Sequence, residues 1–491
     1  MARHAAAGLA LVLAAAGAAR AEPDLSRMSP PQLRAFVRAM PKGGELHVHL
    51  GGAVYAEDEL GWAQEDKACI DVKALAILPD CPASPDVRPA ADALKDVNLY
   101  RQMVDSLTTR HPGFMGRSGH DQFFTSFNRM GFKPEREGDA LASVMDRLAH
   151  ENAFYLEVMI TPEGAQTAAI ARKAGWTPDL PKLEAAMRAA GLEALASQVS
   201  GDTDAWEARA RQVLKCGAPD ARPGCAVTVR YLFQTVRTAP PEITFAQIQL
   251  AGAVIASDRR WVGVQIVAPE DDPPARALYG EHMRMLDYLS DHGRRMNLAL
   301  HAGELTLAAA PPQDLRDHVA QAVRIAGARR IGHGVDIAQE DGADALAAEM
   351  AAAKVLVEIN LTSNDVILDV RGPEHPYAWL RRHGVPTSLS TDDAAVLRID
   401  LTHEYARAAE EGASYADLKA SARNAIAFSF LAGTGLWQDP GDYRRPDPAC
   451  AAELSGAGES SAACRALVDT SDKAREQLRL ERALAKFEAG R

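Results

Sequence analysis

After residue 21, the sequence has no uninterrupted run of about eighteen apolar residues, the length that a membrane-spanning helix needs. Positive charge is also scarce, since 54 Lys and Arg stand against 66 Asp and Glu. This balance argues against a surface that binds nucleic acid or anionic membranes. No two cysteines have the Cys-x-x-Cys spacing of a zinc knuckle. What remains is a globular composition, with 491 residues for one large domain with insertions, or for two or three smaller domains.

Residues 1–21 have the pattern of a secretory signal peptide. Arg3 supplies a short positive start, residues 5–18 are apolar, and Ala19-Arg20-Ala21 fits the small-x-small cleavage rule. An Arg-Arg pair is missing, which favours the general secretory route over the twin-arginine one. We therefore expect an exported, soluble protein, secreted or periplasmic, whose mature chain is a single domain over residues 22–491.

The six cysteines fall into three pairs of near neighbours along the chain. Six cysteines allow 15 connectivities, so the spacing alone does not decide the pairing. Short loops in an oxidising compartment favour pairing in sequence order. The expected disulfides are Cys69–Cys81, Cys216–Cys225 and Cys450–Cys464.

The stretch from Gly44 to Gly52 contains a His-x-His pair inside an alternating apolar–polar pattern, which predicts a short strand. Side chains two apart on a strand point the same way, so His47 and His49 project from one face. Two converging imidazoles are what a first-row divalent metal requires. A lone His-x-His on a solvated strand face is at least as common, so the rest of the chain must decide.

Seven further strand-like runs follow, separated by Ala-rich helical stretches, and this alternation predicts parallel strands covered by helices on both faces. Eight such units indicate an α/β fold of the (β/α)8 barrel type. We expect an insertion at about 55–110, extra helices within 163–224 and a C-terminal extension at about 437–491. The seven runs are Phe154–Thr161, Ala226–Arg237, Val262–Ala268, Asn297–Glu304, Arg330–Ile337, Val355–Asn364 and Pro386–Asp393.

Polar residues cluster where four of these strands end, the side of a barrel on which active sites lie. Three imidazoles and one carboxylate can hold Zn²⁺ with a position left for water, whose pKa the metal lowers toward neutrality. The predicted zinc ligands are His47, His49, His301 and Asp392. The predicted catalytic residues are Glu304 as proton donor, His333 to orient or deprotonate the water, and Asp392; the predicted substrate contacts are Asp393, Gly303 and Glu270.

Four blocks, Pro41–His49, His301–Glu304, Arg330–Gly334 and Ser390–Asp393, resemble the signature blocks of adenosine deaminases, zinc barrels of the amidohydrolase superfamily. The resemblance covers about residues 40–430. Export, the insertion and the block Ser118–Phe127 resemble the secreted, growth-factor-related branch, which implies a homodimer.

The resemblance implies a reaction in which adenosine, and also 2′-deoxyadenosine, is hydrolysed to inosine-type product and ammonia. Glu304 would protonate N1 of the purine while hydroxide from zinc-activated water attacks C6. His333 would handle the proton of that water. Asp393 would accept a hydrogen bond from the N7 side of the ring.

Some positions depart from the family pattern. Gly51 stands where an Asp often reaches the ribose, and Ala268 stands where a glycine backbone meets the purine. Asn360–Asn364 replaces Cys-Pro-x-Ser-Asn, and Ala394 replaces a Pro. The substrate therefore stays open between adenosine and another aminopurine, such as adenine or a 5′-modified adenosine. A catalytically inactive secreted nucleoside-binding protein is a third interpretation, against which the intact ligands and Glu304 argue.

Other polar and aromatic residues have a plain structural interpretation beside a functional one. Phe123, Phe124 and Phe127 would line an apolar lid or form ordinary helix core. His120 and Asp121 would support the site or cap a helix. The histidines with no motif around them are interpreted as structural or surface residues: His111, His150, His282, His292, His318, His375, His383 and His403.

Overall fold

A computed structural model describes residues 22–110, 116–291, 296–454 and 461–490. The predicted signal peptide, His111 and His292 lie outside these residues. Within them the strands are β1 (Gly43–His49), β2 (Cys69–Asp71), β3 (Ala76–Leu78), β4 (Val87–Pro89), β5 (Ala153–Ile160), β6 (Thr228–Val236), β7 (Trp261–Val267), β8 (Ala299–Ala302), β9 (Arg330–His333), β10 (Leu356–Ile359), β11 (Thr387–Leu389), β12 (Trp437–Asp439) and β13 (Asp442–Pro446).

The α-helices of the same residues are α1 (Pro30–Ala39), α2 (Ala56–Glu65), α3 (Ala90–Ala93), α4 (Val97–Ser106), α5 (Gly119–Phe127), α6 (Glu137–His150), α7 (Gly164–Ala174), α8 (Leu180–Ala189), α9 (Leu195–Val213), α10 (Pro241–Ser257), α11 (Pro273–Ala277), α12 (Tyr279–Asp291), α13 (His318–Arg324), α14 (Ala343–Ala353), α15 (Leu361–Leu368), α16 (Tyr377–Arg382), α17 (Ala394–Leu397), α18 (Leu401–Glu410), α19 (Tyr415–Ala427), α20 (Ala451–Leu454), α21 (Ala462–Thr470) and α22 (Asp472–Ala489). None of these described helices is both long enough and apolar enough to traverse a lipid bilayer.

Strands β1 and β5 to β11 form a closed parallel barrel. The runs β1-β5-β6-β7 and β8-β9-β10-β11 each pair in sequence order. Parallel bridges from Val48 to Asp392 and from Val264 to Leu298 join the two runs. Residues of β5, β7, β8, β9, β10 and β11 are buried throughout, as expected for strands covered by helices on one face and packed inside the barrel on the other. The predicted (β/α)8 fold is confirmed.

The barrel strands are shorter at their C-terminal ends than the sequence predicted. The run Val355–Asn364 ends as a strand at Ile359, and Leu361 begins α15. The runs Asn297–Glu304, Arg330–Ile337 and Pro386–Asp393 likewise leave the sheet early. His333 has φ +70° and Asp392 has φ +60°, a left-handed backbone that turns the chain out of the sheet. These turns aim the polar side chains across the barrel mouth.

The insertion and the C-terminal extension are both folded, and the three expected disulfides are present. Strands β2 to β4 form an antiparallel sheet in the order β3-β2-β4, which packs with α2, α3 and α4 around an apolar core of its own. In the extension, β12 and β13 form a hairpin, and α22 buries Leu480 and Leu484 in the main core. The predicted extra helices of 163–224 are α7, α8 and α9.

A buried ionic network lies inside the barrel, beneath its mouth. Arg330 pairs with Glu157 at 2.6 Å and with Glu358 at 2.6 Å, and all three side chains are almost fully buried. Tyr155 donates its hydroxyl to Glu157, and the Arg330 guanidinium also lies over the Phe430 ring. One cation thus neutralises two carboxylates, of which Glu358 reaches the barrel mouth.

We expect Arg330→Met to lower the free energy of unfolding by about 3–5 kcal/mol, because it leaves two buried carboxylates without their cation. Urea unfolding of the purified protein measures this loss. Arg329→Met is the matched control: Arg329 is exposed and donates to Asn297, so its loss should cost less than about 1 kcal/mol. Equal costs for the two variants would contradict the account of the network.

Candidate metal centre and substrate cavity

Three imidazoles and one carboxylate converge at the barrel mouth. Nε2 of His301 lies 3.1 Å from Nε2 of His47 and 3.3 Å from Nε2 of His49. Oδ1 of Asp392 lies 3.3 Å from Nε2 of His47 and 3.1 Å from Nε2 of His49. These four residues come from the ends of β1 and β8 and from the turn after β11.

The separations within this group fit a zinc ion bound by all four side chains. Metal–ligand bonds of about 2.0–2.1 Å place neighbouring ligands roughly 3.3–3.4 Å apart, close to the observed separations. Asp392 Oδ1 is buried and makes no hydrogen bond of good geometry within the described chain. His47, His49, His301 and Asp392 form one of two groups of side chains, among the described residues, whose geometry could hold a metal ion; Glu304, His333 and Asp392 form the other. Imidazoles with a carboxylate are a donor set that suits zinc.

Each of the β1 imidazoles is held from its far side. The Nδ1–H of His47 donates to Glu358 at 2.7 Å, and the Nδ1–H of His49 donates to Gln234 at 2.8 Å. These bonds leave both Nε2 lone pairs free to face the metal. Ser363 donates to Oδ2 of Asp392 at 2.8 Å and so fixes the carboxylate.

Two glycines make room for this packing. A Cβ added at Gly332 would lie 2.6 Å from Cε1 of His47. A Cβ added at Gly52 would collide with the carboxylate of Asp393. Any larger residue at either position would displace a side chain of the site.

Glu304 lies beside this centre on a backbone that Glu270 holds from below. Glu270 accepts the backbone N–H of Gly303 at 3.2 Å and that of Glu304 at 2.8 Å. Its Oε1 also accepts from Nδ1 of His318 at 2.7 Å, and Arg237 lies 3.5 Å away. Although burial raises the pKa of Glu270, Arg237 and His318 outweigh it and lower that pKa to about 2. Glu270 is therefore an anion that anchors the backbone of Gly303 and Glu304.

Burial and neighbouring charges separate the protonation states of the carboxyls. Burial, and next the Asp392 carboxylate, raise the pKa of Glu304 well above its usual range. Burial also raises the pKa of Asp393, and Asp392 adds to this rise. Burial raises the pKa of Asp392 too, but the adjacent His47 and His49 hold it well below its usual range. The surroundings thus move the pKa values of neighbouring carboxyls apart, downward at Asp392 and upward at Glu304 and Asp393, which suits acid–base chemistry.

His333 lies next to both groups. Burial lowers its pKa to about 3, so the imidazole is neutral. Its Nδ1 is 3.4 Å from Glu304 Oε1, and its Nε2 is 4.0 Å from Asp392 Oδ2.

A cavity of about 660 Å³ opens over the centre, large enough for a drug-sized ligand. Of the predicted site residues, those that line it are His49, His301, Glu304, Asp392 and Asp393. Apolar side chains of α5 cover part of it, including Phe123, Phe124 and Phe127. Phe123 is also buried in a small core with Val335 and Ala394, and Phe124 packs against that core, so these two residues both line the cavity and pack in a core, whereas Phe127 is exposed.

Two predicted substrate contacts lie elsewhere. Neither Gly303 nor Glu270 is among the described residues that line the cavity. The contacts of Glu270 favour support of the Glu304 backbone over direct contact with substrate. Ala268 does line the cavity and has φ +85°, so it keeps a left-handed backbone despite its side chain.

Several residues that position the site had no sequence signal. Gln234 and Glu358 stand on strands with no motif around them, Arg237 directly follows β6, and His318 was interpreted as structural. Glu358 is the one polar residue of the apolar strand β10, a pattern that could have singled it out. Gln234 lies on a strand that also contains Thr228, Arg230 and Thr235, so no such pattern marks it.

We expect Gln234→Leu to weaken zinc binding by about 10–100-fold, because His49 loses the acceptor that orients its ring. Competition with a chromophoric chelator measures this affinity. Thr161→Val is the control, since Thr161 lines the same cavity and donates only to the backbone carbonyl of Gln234. An unchanged zinc affinity for Gln234→Leu would contradict the assigned role of this hydrogen bond.

Comparison with solved structures finds the same barrel fold in other proteins. An amidohydrolase from Burkholderia ambifaria with bound zinc has a TM-score of 0.54 at 18% identity, over 81% of this chain and 88% of that one. The adenine deaminase of Arthrobacter aurescens has a TM-score of 0.54 at 15% identity, over 80% of this chain and 94% of that one. At these identities the likeness concerns the fold alone.

Sequence comparison identifies the family. The adenosine deaminase of Serratia proteamaculans is 37% identical over 138 residues, which are 28% of this chain and 38% of that protein. The match thus spans well under half of that relative. The family model described as adenosine deaminase matches residues 140–435, more than half of the chain. By that match, and by the converging zinc-type ligands, the chain belongs to the adenosine deaminase family.

Proposed function

We propose that the protein hydrolytically deaminates a neutral aminopurine nucleoside, with adenosine as the first candidate. The observation that carries the proposal is a buried carboxyl of raised pKa, Glu304, in the wall of a cavity that also reaches His49, His301 and Asp392. Zinc bound by His47, His49, His301 and Asp392 would supply a water of lowered pKa.

The carboxyl groups around the cavity can carry out the proton transfers and hold the purine ring. The raised pKa of Glu304 favours its protonated form, which can protonate N1 of the ring as C6 is attacked. N7 is an acceptor in adenine, so Asp393 can bind it only by donating from a protonated carboxyl, the form that its raised pKa favours. This reverses the direction that the family resemblance implied. Asp392 is itself one of the four predicted metal ligands; its lowered pKa favours the carboxylate, which can accept a proton.

The charge of the cavity favours a substrate without phosphate. No Lys or Arg is among the described residues that line the cavity. Glu137 and Asp272 do line it, together with the carboxyls of the centre. A phosphate would meet acidic side chains and no compensating cation, at a cost in affinity.

Two departures from the family pattern bear on the sugar and the ring edge. A Cβ added at Gly51 would meet nothing within 4 Å, so this part of the cavity wall is open. Ala268 adds a methyl group to the wall. Both observations keep adenine and 5′-modified adenosines as alternatives. They also support 2′-deoxyadenosine as a substrate, since no carboxylate at position 51 reaches toward the sugar.

We infer further that the protein is exported. Three disulfides in one chain are typical of an oxidising compartment, which supports the signal-peptide interpretation of residues 1–21. Membership of the secreted, growth-factor-related branch and a homodimer remain predictions from the sequence.

We expect Glu304→Gln to lower kcat by about 10²–10⁴-fold on adenosine, because the amide cannot deliver a proton. Loss of the ultraviolet band of adenosine measures turnover, and zinc content and unfolding temperature show that the site and fold persist. Glu374→Gln, the same change at an exposed position, should turn over normally. A zinc-loaded Glu304→Gln protein with full activity would remove Glu304 from the reaction.

We expect kcat/KM for AMP to be at least about 100-fold lower than for adenosine, because its phosphate would meet acidic side chains and no Lys or Arg among the described residues that line the cavity. The same ultraviolet assay, run with adenosine, 2′-deoxyadenosine, adenine and AMP, ranks the substrates. Fast turnover of adenine with none of adenosine would move the substrate to the free base. Zinc binding with no turnover of any of them would favour the nucleoside-binding interpretation.

A further inference from the structure

We propose that Asn364 and His375 are positioning residues that hold the His333 imidazole in one tautomer, with its proton on Nε2 facing Asp392. The inference rests on the proposed function, because it concerns how His333 serves that reaction. Neither residue is among the described residues that line the cavity. His375 had no motif around it, and Asn364 belongs to a block that departs from the family pattern.

Donor and acceptor roles can be assigned along the hydrogen bonds that lead to His333, beginning with a backbone N–H group. The N–H of Tyr377 lies 3.1 Å from Nδ1 of His375, and a backbone N–H can only donate. Nδ1 of His375 therefore carries no proton, and the neutral ring carries its proton on Nε2. Burial, and next the charge of Arg407, lower the pKa of His375 to about 3, in agreement with a neutral ring.

The side-chain amide of Asn364 accepts a hydrogen bond from His375 and donates one to His333. Nε2 of His375 lies 3.0 Å from Oδ1 of Asn364 and donates to it. The other terminal atom of the amide must then be the NH₂ group. That nitrogen lies 2.9 Å from Nδ1 of His333 and donates to it. Nδ2 of Asn360 lies 3.5 Å from the same acceptor.

These hydrogen bonds decide which ring nitrogen of His333 carries the proton. With Nδ1 accepting, the neutral ring holds its proton on Nε2, which is buried and has no hydrogen-bond partner among the described residues. Nε2 lies 4.0 Å from Oδ2 of Asp392, close enough for one oxygen atom to contact both groups. His333 would then orient such an oxygen through its Nε2–H, and this nitrogen cannot take up a proton. The sequence had left orientation and deprotonation open, and the hydrogen bonds favour orientation.

The variant Asn364→Asp tests this directly, because it keeps an acceptor for His375 and replaces the donor that faces His333 by an acceptor. Nitrogen-15 NMR of histidine-labelled full-length mature protein, metal-free and zinc-loaded, separates protonated from bare ring nitrogens. The His333 signals are those lost in His333→Gln. We expect Nε2 to be protonated and Nδ1 bare in the wild type, and Nδ1 to gain a proton in Asn364→Asp. The kcat on adenosine should fall about 100-fold or more, with KM within about threefold.

A pair of variants at position 375 gives a matched control. His375→Gln can still donate to Asn364, so the tautomer should persist and kcat should stay within about fivefold of wild type. Glutamate has the size of glutamine, but its carboxylate can only accept a hydrogen bond from Asn364. His375→Glu should therefore behave like Asn364→Asp. A bare Nε2 in wild-type His333, or an Asn364→Asp protein with the wild-type tautomer and kcat, would overturn the proposal. If the wild type turns over no aminopurine, the proposed function fails, while the NMR readout still decides the tautomer.

Discussion

The arrangement of the barrel mouth depends on four lone-pair donors that the fold brings within 4.8 Å of one another, with four of their separations between 3.1 and 3.3 Å. Without a cation, unprotonated imidazole nitrogens and a carboxylate oxygen at these distances repel or compete for protons. A divalent ion turns the same convergence into a favourable interaction. The turns after the strands, the two glycines that admit His47 and Asp393, and the hydrogen bonds behind the ligands all serve to maintain it.

A continuous series of buried polar and ionic contacts connects the metal-ligand candidate His47 with the interior of the barrel. His47 donates to Glu358, which pairs with Arg330, which pairs with Glu157. Such buried charges cost desolvation energy, and well-packed apolar residues would often stabilise a barrel more. We interpret these buried charges as a loss of stability that keeps the Glu358 carboxylate in place as the hydrogen-bond acceptor of His47. Glu270 has the corresponding position behind Glu304, paired with Arg237 and His318.

The fold and the ligand set could be predicted because both leave local patterns. Apolar strands alternating with helices predict a barrel, and the barrel assigns a common end to His47, His301 and Asp392. Strand ends were predicted too late, because the chain leaves the sheet through left-handed residues such as His333 and Asp392, which no periodicity indicates. Supporting residues could not be predicted for a different reason. Glu358 meets His47 across 311 positions of sequence, and such a contact is visible only when the barrel has closed.

The central claim is that His47, His49, His301 and Asp392 hold zinc in a preformed site. X-ray absorption at the zinc edge, on the purified protein loaded with one equivalent of metal, tests it most directly. The account predicts three imidazole nitrogens and oxygen ligands at about 2.0–2.1 Å, with no sulfur. Sulfur neighbours at about 2.3 Å, or a zinc environment without the scattering of imidazole rings, would contradict it.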